Sequence, residues 1–311
     1  MPALHVEHTG RVLLVKMDNP PHNFLTGAVM DELHALFASL RGDRSVGAVI
    51  LTSAVEGVFV SHYDVGEILA GVEAAPLTVP RKVAGGLLRA QSAMEAVPGG
   101  RVASGKTPAA GVSSLLRYHQ TCSLIQSLDK VVVAAINGRA MGGGSELALA
   151  CDIRIMADGE FELGQPEICV GIIPGGGGTQ RLPRAVGHAR ALELMLEGRP
   201  VYPDEALALG YVHRVVPPHE LAREAMETAT RLARRSPEAV GAIKRAVNGD
   251  PALAKGLHAE RAEFLAAGST KAARAAMRAY LDHLDALDTA GEPMTPESFT
   301  PWLEGTAHDF T

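Results

Sequence analysis

Apolar residues recur along this chain with two different spacings. At 11–17 (RVLLVKM) and 46–53 (VGAVILTS) they are nearly consecutive and rich in β-branched side chains, which predicts strands. Between those runs Val29, Leu33, Leu36, Phe37 and Leu40 return every three or four residues, as on one face of a helix, with Thr26 placed to cap it. Runs at 131–136, 153–156 and 211–216 predict further strands, again separated by helical patterns. This alternation predicts α/β layers with largely parallel strands. It fits a doubly wound sheet and a repeating β-β-α spiral equally well.

Two stretches depart from the alternation. Residues 71–117 contain a small, polar, turn-rich centre (AVPGGRVASGKTPAAG) between helical patterns at 81–95 and 112–128. They read as a surface insertion or lid, with disorder expected over 97–111. After Val216 the pattern is helical, over 221–234, 238–248, 256–267 and 271–287. Residues 223–278 carry eleven basic and six acidic side chains, whereas 279–311 carry seven acidic and no basic ones. Solvated helix faces account for that split, as do contacts with anionic ligands or subunits. Phe299, Trp302 and Phe310 in the proline-broken tail predict docking on this subunit or a neighbour.

Composition narrows the function classes. With 311 residues and 47% hydrophobic content the chain has apolar material for a full core. A formal charge of −6 and a pI near 6.1 argue against a nucleic-acid binder. Residues 1–10 lack a basic and apolar leader pattern, so no signal peptide is expected, and no apolar run reaches the roughly 20 residues of a membrane span. Cys122, Cys151 and Cys169 fit neither a metal spacing nor a paired disulfide framework, and Cys151 and Cys169 lie in apolar runs. Buried reduced thiols follow, and a cytoplasmic protein with them.

The candidate chemistry lies in 129–184. There a strand pattern enters Gly142-Gly143-Gly144 and a short apolar helix bearing Glu146; a second strand pattern leads to Gly164-Gln165-Pro166-Glu167 and the cluster Gly175–Gly178. Glycines let a ligand approach backbone, and a helix start directs unpaired N–H groups outward, where they can stabilise a developing oxyanion. The helix dipole favours an ionised Glu146, suited to a base, and apolar neighbours of Glu167 favour its protonated form. Structural acids in glycine-packed turns account for the same spacing. Gly143-Gly144-Ser145-Glu146-Leu147 lacks the closing glycine of a nucleophile elbow. Gly175–Gly178 lacks the lysine of a phosphate-binding loop. His62, Asp64 and Glu67 form no second cluster that would make them metal ligands.

The ordered set Asn19-Pro20-Pro21-His22-Asn23-Phe24-Leu25, Phe59-Val60-Ser61-His62-Tyr63-Asp64-Val65, Asn137-Gly138 through Asp152, Gly164-Gln165-Pro166-Glu167 and the run from Ile173 to Leu182 resembles the enoyl-CoA hydratase/isomerase (crotonase) superfamily over about residues 4–70 and 120–285. The resemblance implies a β-β-α spiral core over 1–216 with the insertion at 71–117, a helical trimerisation module over 217–290, and a tail over 291–311. It implies an acyl-CoA substrate, with coenzyme A part of the substrate, no metal or redox cofactor, and a homotrimer or dimer of trimers. Backbone N–H groups of Tyr63 and Gly143 would form the oxyanion hole, Glu146 would activate water, and Glu167 would exchange the Cα proton. Ser61, His62, Asp64, Gly142 and Gly175 would contact substrate or the catalytic water. Hydration of a 2-enoyl-CoA is the leading expectation; double-bond isomerisation, another reaction of the superfamily, and a non-catalytic CoA-binding paralogue are the alternatives. The family's F-[SA]-A-G-[AG]-D loop reads Phe59-Val60-Ser61-His62-Tyr63-Asp64 here, which sets two large side chains beside the expected pocket. Lys271-Ala272 replaces the family's acidic pair.

Overall fold

The computed structural model describes residues 3–74, 77–97, 99–100 and 110–310. Among the described residues nine strands form two sheets: β1 (Leu4–Thr9), β2 (Val12–Met17), β3 (Ala48–Ser53), β5 (Val131–Ile136), β7 (Ile153–Ala157) and β9 (Arg214–Val216) in one, and β4 (Gly57–Val60), β6 (Gly138–Met141) and β8 (Leu163–Gly164) in the other. The larger sheet runs β1-β2-β3-β5-β7-β9 and is parallel except for the β1–β2 hairpin. The smaller runs β4-β6-β8, all parallel.

Burial of both faces explains why the central strands read as unbroken apolar runs. In β5, Val132, Ala134 and Ile136 join the core under the helix Gly27–Ser39, with Leu33 and Phe37; Val131, Val133 and Ala135 meet Leu221, Ala225 and Ala229 of the helix Leu221–Leu232. Thr26 caps the first of these helices as expected, accepting from the Val29 amide at 3.2 Å.

Each pass of the chain adds a long strand to the larger sheet and, within a few residues, a short one to the smaller. β3 is followed by β4, β5 by β6, and β7 by β8. The loops after β4, β6 and β8 therefore emerge side by side. Met141 N–H donates to the Ser61 carbonyl at 3.2 Å, and Gly142 N–H to the Gly164 carbonyl at 2.9 Å. Ser61 and Met141, remote in sequence, are neighbours for this reason.

The insertion is more than a surface excursion. Helices Arg81–Glu95 and Ala110–Ser127 pack on each other, and Leu88, Leu115 and Leu116 meet Ala262 of the helix Pro251–Gly268 in a separate apolar cluster. The expected disorder over 97–111 falls mainly outside the described residues. The helix Lys271–Ala290 lays Ala273, Met277 and Tyr280 against Val65, Leu69, Val170 and Ile172, and the tail adds Phe299 to the same cluster. The aromatics Phe299 and Trp302 thus dock on this subunit. Among the described residues no helix is long and apolar enough to cross a membrane, and no cluster of His, Cys, Asp and Glu could hold a metal ion.

Candidate active site

The three loops that leave the smaller sheet surround a cavity of about 200 Å³. Gly142 adopts φ 47° and ψ −120°, a conformation side chains rarely take, and so turns the chain from β6 into the helix Gly143–Ala150. The backbones on either side are close. A methyl group built on Gly143 would stand 3.1 Å from the Tyr63 nitrogen, and one on Gly142 would stand 3.2 Å from Glu167 Oε1. Among the described residues, neither the Tyr63 nor the Gly143 N–H donates to a protein acceptor. Unpaired backbone donors at a buried site are uncommon, and two together at a cavity wall form a ready oxyanion site.

Both acids line the cavity. Glu146 is 2% exposed, and its Oε1 accepts from the Gly176 and Gly178 amides, each at 2.7 Å. Burial pushes its carboxyl up to about 7, against the opposing pull of those amides and of Arg181. Glu167 opens the short 3-10 helix Glu167–Val170, and its Oε2 is buried without a hydrogen-bond partner. Burial first, then the charge of Glu146, raises it well above the usual carboxylate range. The sequence reading expected opposed tuning, with the helix dipole keeping Glu146 ionised. Removal from water outweighs the dipole of one short helix, and both carboxyls are raised. Glu146 is pushed to about 7, and Glu167 is held well above the usual carboxylate range.

The other expected site residues divide. His62, Tyr63, Gly142, Gly143 and Gly175 line the cavity. Ser61 is buried and lies outside the lining, its carbonyl accepting from Met141. Asp64 also lies outside it and caps the helix Val65–Glu73, accepting from the Glu67 amide at 3.0 Å. His62 Nδ1 donates to the Tyr63 carbonyl at 2.7 Å, so Nε2 is the acceptor for the Tyr280 hydroxyl at 2.6 Å. The ring stacks on Phe24 with centroids 4.5 Å apart. Burial lowers the imidazole to about 4, so it is a neutral wall. Ser145, the discarded nucleophile, is fully buried and bonded to the Tyr211 hydroxyl at 2.6 Å. Cys122 and Cys151 are buried free thiols, and Cys169 is half-buried at the cavity.

Four further residues hold the site in shape. Tyr118 donates its hydroxyl to the Gly143 carbonyl, and His119 bonds the Gly175 carbonyl. Arg181 Nη1 donates to the Gly176 carbonyl at 2.7 Å. Glu260 accepts from the Thr179 amide at 2.9 Å and from its hydroxyl, and burial raises its carboxyl to about 8. The turn that feeds two amides to Glu146 is thus clamped from three helices. A readable signal existed for Glu260: it falls three residues after Leu257 on the buried stripe Leu253, Leu257, Glu260. A carboxylate on an apolar stripe needs a partner. Tyr118 and His119 carry no such mark, because polar residues are spread around their helix and no apolar stripe sets them apart.

Known proteins resemble this chain in sequence and fold. A family profile described as enoyl-CoA hydratase/isomerase matches residues 7–112 and 99–287. The chain is 33% identical to the short-chain-enoyl-CoA hydratase of Clostridium acetobutylicum over 244 residues, 78% of this chain and 80% of that protein. A crystal structure of a putative enoyl-CoA hydratase from Streptomyces avermitilis superposes with a TM-score of 0.74 at 26% identity, covering 98% of both chains. The human mitochondrial delta3-delta2-enoyl-CoA isomerase superposes with a TM-score of 0.72 at 24% identity, covering 91% of this chain and 98% of that one, and shares the fold.

Proposed function

Since this chain belongs to the enoyl-CoA hydratase/isomerase family, we propose that it adds water across the 2,3 double bond of a 2-enoyl-CoA. The observation that carries the reading is the meeting of two raised carboxyls and two unpaired backbone amides at one cavity. Ionised Glu146 takes a proton from water as the oxygen attacks C3. The π electrons move toward the thioester, whose oxygen is held by the Tyr63 and Gly143 amides as negative charge grows on it. The enolate collapses by taking the proton of Glu167 at C2, and proton exchange with solvent resets both acids. Every proton and electron pair is supplied by the carboxyls, the thioester and water, so the proposal calls for no metal or redox cofactor.

We further propose that the helical segment 217–290 assembles the chain into a trimer or dimer of trimers. Ile243 and Val247, one turn apart on the helix Pro237–Asn248, are 64% and 72% exposed, which supports burial against another copy. A stable monomer in sedimentation at micromolar concentration refutes this assembly. For the reaction, purified protein is expected to bleach the conjugated thioester absorbance of 2-enoyl-CoAs and to yield 3-hydroxyacyl-CoA. Conversion of a 3-enoyl-CoA into the conjugated isomer without water addition would replace hydration by isomerisation. Acyl-CoA binding with no conversion would leave a binding protein.

A further inference from the structure

Resting on that reading, we infer that the acyl group carries a planar aromatic ring on C3, so that the substrate class is a 3-aryl-2-enoyl-CoA and its 3-hydroxy counterpart. The chain is poor in aromatic residues, at 4%: one Trp, five Tyr and seven Phe. Six of these thirteen line the one cavity that holds the paired acids, namely Tyr63, Tyr118, Phe264, Tyr280, Phe299 and Trp302. Among the described residues, nine Leu, Ile and Val residues line the rest of the cavity, so the rings are concentrated beside an aliphatic lining.

The rings are ordered as well as concentrated. Tyr280 and Phe299 stack with centroids 5.5 Å apart and planes 27° from parallel, and Trp302 stands edge-on to Tyr280 at 6.2 Å. Tyr63 and Tyr118 stack at 5.8 Å beside the oxyanion amides. These are the offset and edge-to-face geometries that aromatic rings prefer, and a flat ligand ring would meet the same wall. Hydrogen bonds fix the wall: Tyr280 through its hydroxyl to His62, and the tail through the 2.8 Å contact of His283 Nε2 with the Ser298 carbonyl.

Size points the same way. An apolar cavity of roughly 150 Å³ admits benzene. The cavity here, about 200 Å³, has room for one such ring.

The experiment runs in the dehydrating direction, which conjugation of the product with the ring favours. Glu167, now ionised, removes the C2 proton, the C2–H electron pair forms the double bond, and the C3–O bond breaks as protonated Glu146 converts the leaving hydroxide to water. The values of kcat/KM are compared for 3-hydroxy-3-phenylpropanoyl-CoA and 3-hydroxybutanoyl-CoA. The expected ratio is at least tenfold in favour of the aryl substrate. Trp302→Leu, its fold checked by thermal unfolding, is expected to lower that ratio at least fivefold. A wild-type ratio of one or less overturns the inference and leaves hydration standing; conversion of neither compound overturns both. An unchanged ratio in Trp302→Leu, with the fold intact, overturns the placement of the ring at this wall. Should that variant fail to fold, the wild-type ratio alone decides.

Discussion

Replacing Glu146 by Gln should stabilise the protein while slowing its proposed reaction, and the size of the first effect follows from burial. The carboxyl is raised from 4.5 to about 7 on folding. Below pH 4.5 both folded and unfolded forms are protonated, and the side chain carries no penalty. Between pH 4.5 and 7 the unfolded chain ionises and the folded one does not, so stability falls by about 1.4 kcal/mol per pH unit. Above pH 7 the loss is complete, at about 3 kcal/mol. Gln keeps the neutral form at every pH, and its carbonyl can still accept from both Gly176 and Gly178. For 311 residues an unfolding entropy of about 0.65 kcal/mol/K makes the gain about 5 °C in Tm at pH 8, and close to zero at pH 4.5. Thermal scans of both proteins at equal protomer concentration measure it. Parallel scans, with a Tm difference that does not change from pH 4.5 to 8, would refute the claim that burial opposes the ionised form. Turnover should fall by about 10²–10⁴, the usual worth of a lost general base.

Other consequences can be checked separately. Gly176→Ala places a methyl group 2.3 Å from Tyr118 Cε1 and 2.6 Å from Glu146 Oε2, so a loss of about 1–3 kcal/mol in stability is expected by denaturant titration, together with reduced kcat. Wild-type activity should rise with pH as Glu146 ionises, with a midpoint near 7; Glu260, raised to about 8, is still largely protonated there, so Glu260→Gln should leave that midpoint in place. A midpoint moved to lower pH would show Glu260 ionising before Glu146 and would contradict its burial. His62, held near 4, should show a neutral Nδ1–H ring by nitrogen-detected NMR throughout pH 5–8, and a midpoint near 6.5 would contradict its burial between Phe24 and Tyr280.

Legibility of this fold tracked the length and burial of each element. β5 is buried at every position and was read to the residue, and the helix Gly27–Ser39 was recognisable from its stripe and its Thr26 cap. β1 escaped because five of its six residues are exposed, which leaves no apolar alternation. β4, β6 and β8, of four, four and two residues, are too short to show a period, although they place the loops that line the cavity. The predicted strand over 211–216 begins only at Arg214, because Tyr211 turns inward to bond Ser145 and Arg154. At the site, glycine clusters and adjacent acids marked Glu146 and Glu167, while their ionisation depended on the whole tertiary surround. His119 and Glu260 lie in helices remote in sequence, and only packing brings them beneath the Gly175–Gly178 turn.

Hydration of a 2-enoyl-CoA in deuterium oxide, by the wild type and by Glu146→Gln and Glu167→Gln, tests the central claim. The wild type should give 3-hydroxyacyl-CoA carrying one deuteron at C2. Each variant should turn over at least about 10²-fold more slowly while its affinity for the acyl-CoA stays within about threefold. Wild-type turnover in either variant, or a product without deuterium at C2, would contradict paired acid–base catalysis at this cavity.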